Sequence, residues 1–245
     1  MLATRADHGY SPPMTLTPQD RLITALDLPS VEEAARVVTA IGEEGQFYKI
    51  GYQLFPIGGY DFARQLGEAG KKIFLDLKLF DIGATVERGV KSLSAIGGDI
   101  LTVHADTDVI KGALNGRASE RLKIFAVTVL TSWDQSHLND HGIGMGVLDL
   151  VLLRAEMAAE AGADGVIASA AEAKEIRARL GDALEIVTPG IRPAGVAADD
   201  QKRVITPGDA IKAGADRLVV GRPIVKVDDP ALAAKAILTE ISQFL

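Results

Sequence analysis

The 245-residue chain contains no cysteine. Disulfides, thiolate nucleophiles and cysteine-ligated metals are therefore excluded, and the absence suits a reducing compartment. No stretch approaches the roughly 18 consecutive apolar residues of a membrane helix. The opening segment MLATRADHGYSPPMTLTPQ lacks the apolar centre of a secretory signal. Basic runs are also missing. Lys and Arg total 26 against 33 Asp and Glu, a formal charge of −7, which makes the chain a poor general binder of nucleic acid. If its ligand is an anion, positive charge must be gathered locally. Histidines are few and carry no metal-ligand spacing: His8 lies in the N-terminal segment and His137 and His141 in a polar stretch, while His104 reads more readily as a core histidine than as a ligand.

What is present is a repeating alternation of strand and helix. Short apolar, β-branched runs begin at Leu22–Leu28, Phe47–Tyr52, Lys72–Leu79 and Ile100–Ala105, and continue at Lys123–Leu130, Gly165–Ser169, Glu185–Ile191 and Arg217–Ile224. Amphipathic segments such as Val31–Ile41, Val147–Ala161, Ala171–Leu180 and Ala231–Phe244 separate them. Gly70, Gly162 and Gly214 fall where helices should end in a left-handed turn. No GxGxxG follows the first strand, where the sequence reads ALDLPSVEEA. Eight such units predict an α/β fold, a single (β/α)8 TIM barrel over residues 21–245 behind an irregular tail of residues 1–20. In that fold the site lies on the loops at the C-terminal strand ends. Two of these loops are long, one from Thr131 to about Met145 and one from about Pro189 to Gln201, a length expected of lids or binding loops.

Charge appears where core is expected. In FLDLKLFDIGATV, Asp76 and Lys78 are two apart and share a strand face with Phe74. Unpaired, either would cost several kcal/mol to desolvate, so each needs partners. Asp27 ends the first strand, Lys49 shares the face of Phe47 and Gly51 in the second, and Asp81 follows Lys78 by three residues. Asp81 reads equally well as a helix N-cap; for the helix beginning near Val31, Ser30 is a better cap than Asp27.

DLKLFD is a DxKxxD motif, and it is joined in order by ALD, YKIG, VTVLTS, TPGIR, QKR and VVGRPI. From about Leu22 to its C-terminus the chain resembles the orotidine 5′-monophosphate decarboxylase family, which catalyses the last step of UMP synthesis. The resemblance implies decarboxylation of orotidine 5′-monophosphate in the cytoplasm, without metal or cofactor, by a homodimer with active sites shared across the interface. It implies catalytic roles for Lys78 as proton donor to C6, Asp76 beside the departing carboxylate, and Lys49 and Asp81 in an alternating array, with Asp81 and Thr85 reaching the partner's site. It further implies substrate contacts from Asp27, Lys49, Asp76, Lys78, Asp81, Ile82, Thr85, Thr131 (with Ser132 as competitor), Arg192, Gln201, Gly221 and Arg222, the last at the barrel's usual phosphate position. Family members often carry Pro-Asn where this chain has Gly83-Ala84. A related Mg2+-dependent sugar-phosphate decarboxylase shares DxKxxD but places an acidic residue at the position of Lys49. A non-catalytic sensor of phosphorylated ligands is the alternative from another class.

Overall fold

The computed structural model describes residues 16–193 and 205–245. Eight parallel strands close into a barrel in chain order: β1 (Leu22–Ala25), β2 (Phe47–Gly51), β3 (Lys72–Leu79), β4 (Ile100–His104), β5 (Lys123–Val127), β6 (Gly165–Ile167), β7 (Glu185–Thr188) and β8 (Arg217–Val220). β8 returns to pair with β1 through Leu22–Leu218 and Thr24–Val220. The single TIM barrel expected from the alternation is thus what the chain forms, and all eight strands begin at the predicted residue.

Strand alternation divides the apolar residues into two populations. Ile23, Phe47, Phe74, Ile100, Phe125, Val127, Ile167 and Val187 form one buried cluster, filling the lumen. Residues of the opposite parity, including Tyr48, Ile50, Ile73, Leu75, Leu101, Ile124 and Val166, join the larger core between barrel and helices. Helix boundaries follow local chemistry. Ser30 caps Val31–Ile41 by accepting from Glu33 N at 3.2 Å. Gly70, Gly162 and Gly214 take φ of 80°, 90° and 100° beyond helix ends, conformations cheap only for glycine. The last residues of the segment expected to be irregular form a helical turn, Pro18–Arg21, capped by Thr17.

The helices Gly83–Leu93 and Thr107–Gly116 meet backbone to backbone: a Cβ at Gly112 would stand 2.3 Å from Gly83 O, and one at Gly116 2.2 Å from Glu87 O. At the N-terminal end of the barrel the first residues of β3, β5, β7 and β8 are Lys72, Lys123, Glu185 and Arg217. Glu185 accepts from Lys123 and from Arg217 Nε (2.9 Å), Lys72 pairs with Asp20, and Arg217 also donates to Asp20 O. The lumen therefore runs from a charged floor through an apolar middle to a second charged layer at the C-terminal mouth.

Candidate active site

The second layer surrounds a cavity of 480 Å³ at the C-terminal strand ends. Asp27, Lys49, Asp76 and Lys78 line one side of it. Lys49 Nζ lies 2.8 Å from Asp27 Oδ1 and 3.4 Å from Asp76 Oδ2, while Lys78 Nζ donates to Asp76 Oδ1 at 2.7 Å. Negative and positive groups therefore alternate along the row. The Lys49 and Asp76 side chains are only 8 % and 13 % exposed, so these contacts act where water screens little. Burial pushes the Asp76 carboxyl up, but Lys49 and then Lys78, with hydrogen bonds from Lys78 and Thr102, outweigh it and hold the group below the usual carboxylate range. Gly51 leaves the room these groups need: a Cβ there would stand 3.1 Å from Lys49 Nζ and 3.5 Å from Asp27 Oδ1.

Local backbone in β3 departs from a regular strand. Leu75 pairs with Leu101 and Leu79 with Val103, so the register to β4 shifts between them. Lys78 has φ 44°, the one positive value for a non-glycine among the described residues. For an L-residue that conformation costs about 1–2 kcal/mol. Tyr52 OH donates to Leu77 O at 2.6 Å, and its ring centroid lies 5.8 Å from Lys78 Nζ.

Across the mouth, the loops after β7 and β8 bring Gly190, Arg192, Gly221, Arg222 and Lys226 to the same cavity. Arg192 is buried, with Nη1 donating to Ile191 O at 3.0 Å. Three cationic side chains at one end of a cavity in a chain of net charge −7 are the local gathering of positive charge that an anionic ligand requires. The apolar floor between the two sides comes from Phe74, Val127, Ile167 and Val219.

The cavity thus combines a lysine–aspartate row with a cluster of cations from the loops after β7 and β8. The profile of the orotidine 5′-phosphate decarboxylase / HUMPS family matches residues 20–237. The chain belongs to this family. It is 55 % identical over 229 residues to the orotidine 5′-phosphate decarboxylase of Methylorubrum extorquens (strain PA1), covering 94 % of this chain and 98 % of that one. It is 54 % identical over 223 residues to the orotidine 5′-phosphate decarboxylase of Rhodopseudomonas palustris (strain BisA53), covering 91 % and 95 %. Its fold matches the crystal structure of orotidine 5′-phosphate decarboxylase from Lactobacillus acidophilus with a TM-score of 0.80 and 39 % identity, over 91 % of this chain and 99 % of that one.

Within this decarboxylase-family barrel, Asp27, Lys49, Asp76, Lys78, Thr131, Arg192, Gly221 and Arg222 all line the cavity. Of the two candidates at the end of β5, Thr131 lines it and Ser132 does not. Asp81, Ile82 and Thr85 stand outside the cavity lining. Asp81 does not cap the following helix: the N-cap is Ile82, whose N–H donates to Asp81 Oδ1 at 2.7 Å. Phe80 and Ile82 are 70 % and 72 % exposed. Gln201 lies outside the described residues. His104 is half-buried, its ring edge-to-face with Phe80 at 5.4 Å, and is not part of the lining. The long loop after β5 is not plain coil, because Gln135–Asp140 form a short helix capped by Asp134, and Trp133 stacks on His141 at 4.7 Å.

Three participants escaped the sequence reading. Gln53 and Lys226 line the cavity. Thr102, fully buried in β4, donates to Asp76 Oδ1 and accepts from Lys78 N, each at 3.0 Å. A threonine inside the apolar run ILTVH carries no sequence signal beyond its position in a strand next to β3.

Proposed function

We propose that the chain converts orotidine 5′-monophosphate to UMP and CO2, and that it does so without a metal. The observation that carries this reading is the Asp76 carboxylate held between the Lys49 and Lys78 ammonium groups at 3.4 and 2.7 Å. With the substrate phosphate against Arg192, Arg222 and Lys226, the pyrimidine spans the apolar floor and its C6 carboxylate meets Asp76. The like charges repel in the bound state and cease to when neutral CO2 leaves. The C6–carboxyl bond breaks with its electron pair remaining on C6. The Lys78 ammonium opposes that developing charge and then transfers its proton to C6, leaving a neutral amine that solvent reprotonates. Lys49 also holds Asp27 at 2.8 Å, where both can reach the ribose hydroxyls. An ammonium standing between Asp27 and Asp76 repels a divalent cation and supplies the charge such an ion would bring.

The working unit is a homodimer. Asp81 and Thr85 lie beside the exposed Phe80 and Ile82, an apolar surface that a second copy would cover while Asp81 enters the partner's alternating row. A dianionic phosphate ester does not cross membranes unaided, so the enzyme works in the compartment where its substrate is made, which supports a cytoplasmic reaction. Among the described residues no helix is long and apolar enough to cross a membrane, and the clustering of cations in one cavity suits a small anion better than a polynucleotide.

Ultraviolet absorbance of orotidine 5′-monophosphate, followed with purified enzyme in EDTA beside Lys78→Ala, tests the proposal. Conversion to UMP in chelator, with the variant slower by at least about 10²-fold, is expected. A folded wild-type dimer that binds UMP but leaves the substrate unchanged would instead make the chain a sensor, and turnover abolished by EDTA would make it metal-dependent.

A further inference from the structure

We infer that Thr102 is a positioning residue, whose hydroxyl sets the geometry of Lys78 and Asp76 by clamping the irregular turn of β3. The inference rests on the decarboxylase reading for its kinetic consequence, though not for its structural one. Since Leu75 faces Leu101 and Leu79 faces Val103, the three residues Asp76, Leu77 and Lys78 stand opposite the single residue Thr102. Backbone groups in such a bulge lose their ladder partners and must find others. Leu77 O finds Tyr52 OH at 2.6 Å from the loop after β2, and Lys78 N finds Thr102 Oγ1 at 3.0 Å from β4.

The proton direction in this contact is determined. An ionised carboxylate accepts only, so the one Thr102 hydroxyl proton goes to Asp76 Oδ1 at 3.0 Å, and the oxygen is left to accept from the Lys78 amide. One buried atom thus grips the backbone of Lys78 and the carboxylate that its own side chain meets at 2.7 Å. Lys78 needs this grip because φ 44° is a conformation its side chain disfavours. Without the acceptor, nothing from β4 holds the amide in that orientation, and the ammonium that must reach C6 loses its fixed starting point. Thr102 is fully buried and does not line the cavity; its effect passes through Lys78 and Asp76, which do.

The test compares Thr102→Val, which keeps shape and removes the hydroxyl, with Thr102→Ser, which keeps the hydroxyl. In the homogeneous full-length enzyme, Thr102→Val should lower kcat by about tenfold to 10²-fold while KM for orotidine 5′-monophosphate changes by less than about threefold, because misplacement of a reacting group costs rate more than binding. Thr102→Ser should restore kcat to within about threefold of wild type. A Thr102→Val enzyme with wild-type kcat, or equal loss in both variants, overturns the inference. A crystal structure of Thr102→Val decides the structural half independently of turnover: the expected change is a Lys78 φ outside the left-handed region or a longer Lys78–Asp76 contact, and unchanged geometry overturns the clamp. If wild type itself fails to decarboxylate, the functional reading falls and that structure still judges Thr102.

Discussion

Replacing Glu185 by glutamine removes the carboxylate that two cations share at the floor of the barrel, Lys123 and Arg217. The Arg217 side chain is 7 % exposed and that of Glu185 24 %, so the variant strands a buried guanidinium charge. Breaking such a pair from one side costs about 3–5 kcal/mol. Arg217 keeps Asp20 O as an acceptor and Lys123 is 38 % exposed, which together place the loss near the lower end, about 3 kcal/mol. For a chain of this size that corresponds to a fall in Tm of roughly 6–12 °C. Burial pushes the Glu185 carboxyl up, but Arg217 and Lys123 outweigh it and its folded pKa lies below the ordinary 4.5. The native state thus holds this proton more weakly than the unfolded chain does. Glu185 therefore contributes its full stability above the unfolded pKa and loses it as pH falls through the folded value. Thermal melts and urea titrations of both proteins from pH 7 downward should show a constant gap at neutral pH that begins to close as the pH falls below the ordinary 4.5 and is gone below the folded pKa. Since the floor is remote from the mouth, kcat should not change. A gap under about 1 kcal/mol at pH 7, or one that persists undiminished in acid, would refute the account.

Tyr48 and Gly45 give a coupled pair. The Tyr48 hydroxyl is buried with no hydrogen-bond partner among the described residues, and burial pushes its pKa up to about 12, so Tyr48→Phe should hold or raise stability by up to about 1 kcal/mol. A Cβ at Gly45 would stand 2.0 Å from Tyr48 Oη; Gly45→Ala should lose about 1–3 kcal/mol, and the double variant should recover part of it in a denaturation cycle. At the end of the cavity proposed to take the phosphate, Lys226→Met should raise KM for orotidine 5′-monophosphate by about fivefold with kcat little changed, the effect of an exposed ion pair of about 1 kcal/mol. Dephosphorylated orotidine should not distinguish the variant from wild type.

The barrel was legible because eight alternations of period have few other solutions, and each strand start coincides with the first residue of its apolar run. Strand ends were less legible: Leu26, Leu28, Val129 and Ala168 continue the apolar runs and are buried, yet the strands stop short of them, with Leu26 and Ala168 each keeping one backbone bond to the next strand, to Lys49 O and Val187 O. Asp76 and Lys78 were found by the cost of burying charge, and both line the cavity; regular alternation from Phe74 delivers Asp76, which pairs in register with Gly51, but it is not what delivers Lys78. Lys78 reaches it through a register shift and a left-handed φ, which depend on β4 and leave no mark on the residues of β3. Thr102 was missed for the same reason, since its partners are 24 and 26 residues away. The charged floor was passed over because Lys72, Lys123, Glu185 and Arg217 each look like a polar residue opening a strand; only closure of the barrel brings them together.

The backbone contact between Gly83–Leu93 and Thr107–Gly116 has a mechanical meaning. Where side chains separate two helices, a small displacement of one is absorbed by changes of rotamer and dies out within a layer. Between Gly83 and Gly112 there is no side chain to absorb anything, so the two helices transmit displacement as a single stiff body. Asp81 is fastened to the front of that body, two residues ahead of Gly83. Its position is therefore inherited from how β4 and β5 seat the second helix, a tolerance set by the scaffold and not by the short link in which Asp81 resides.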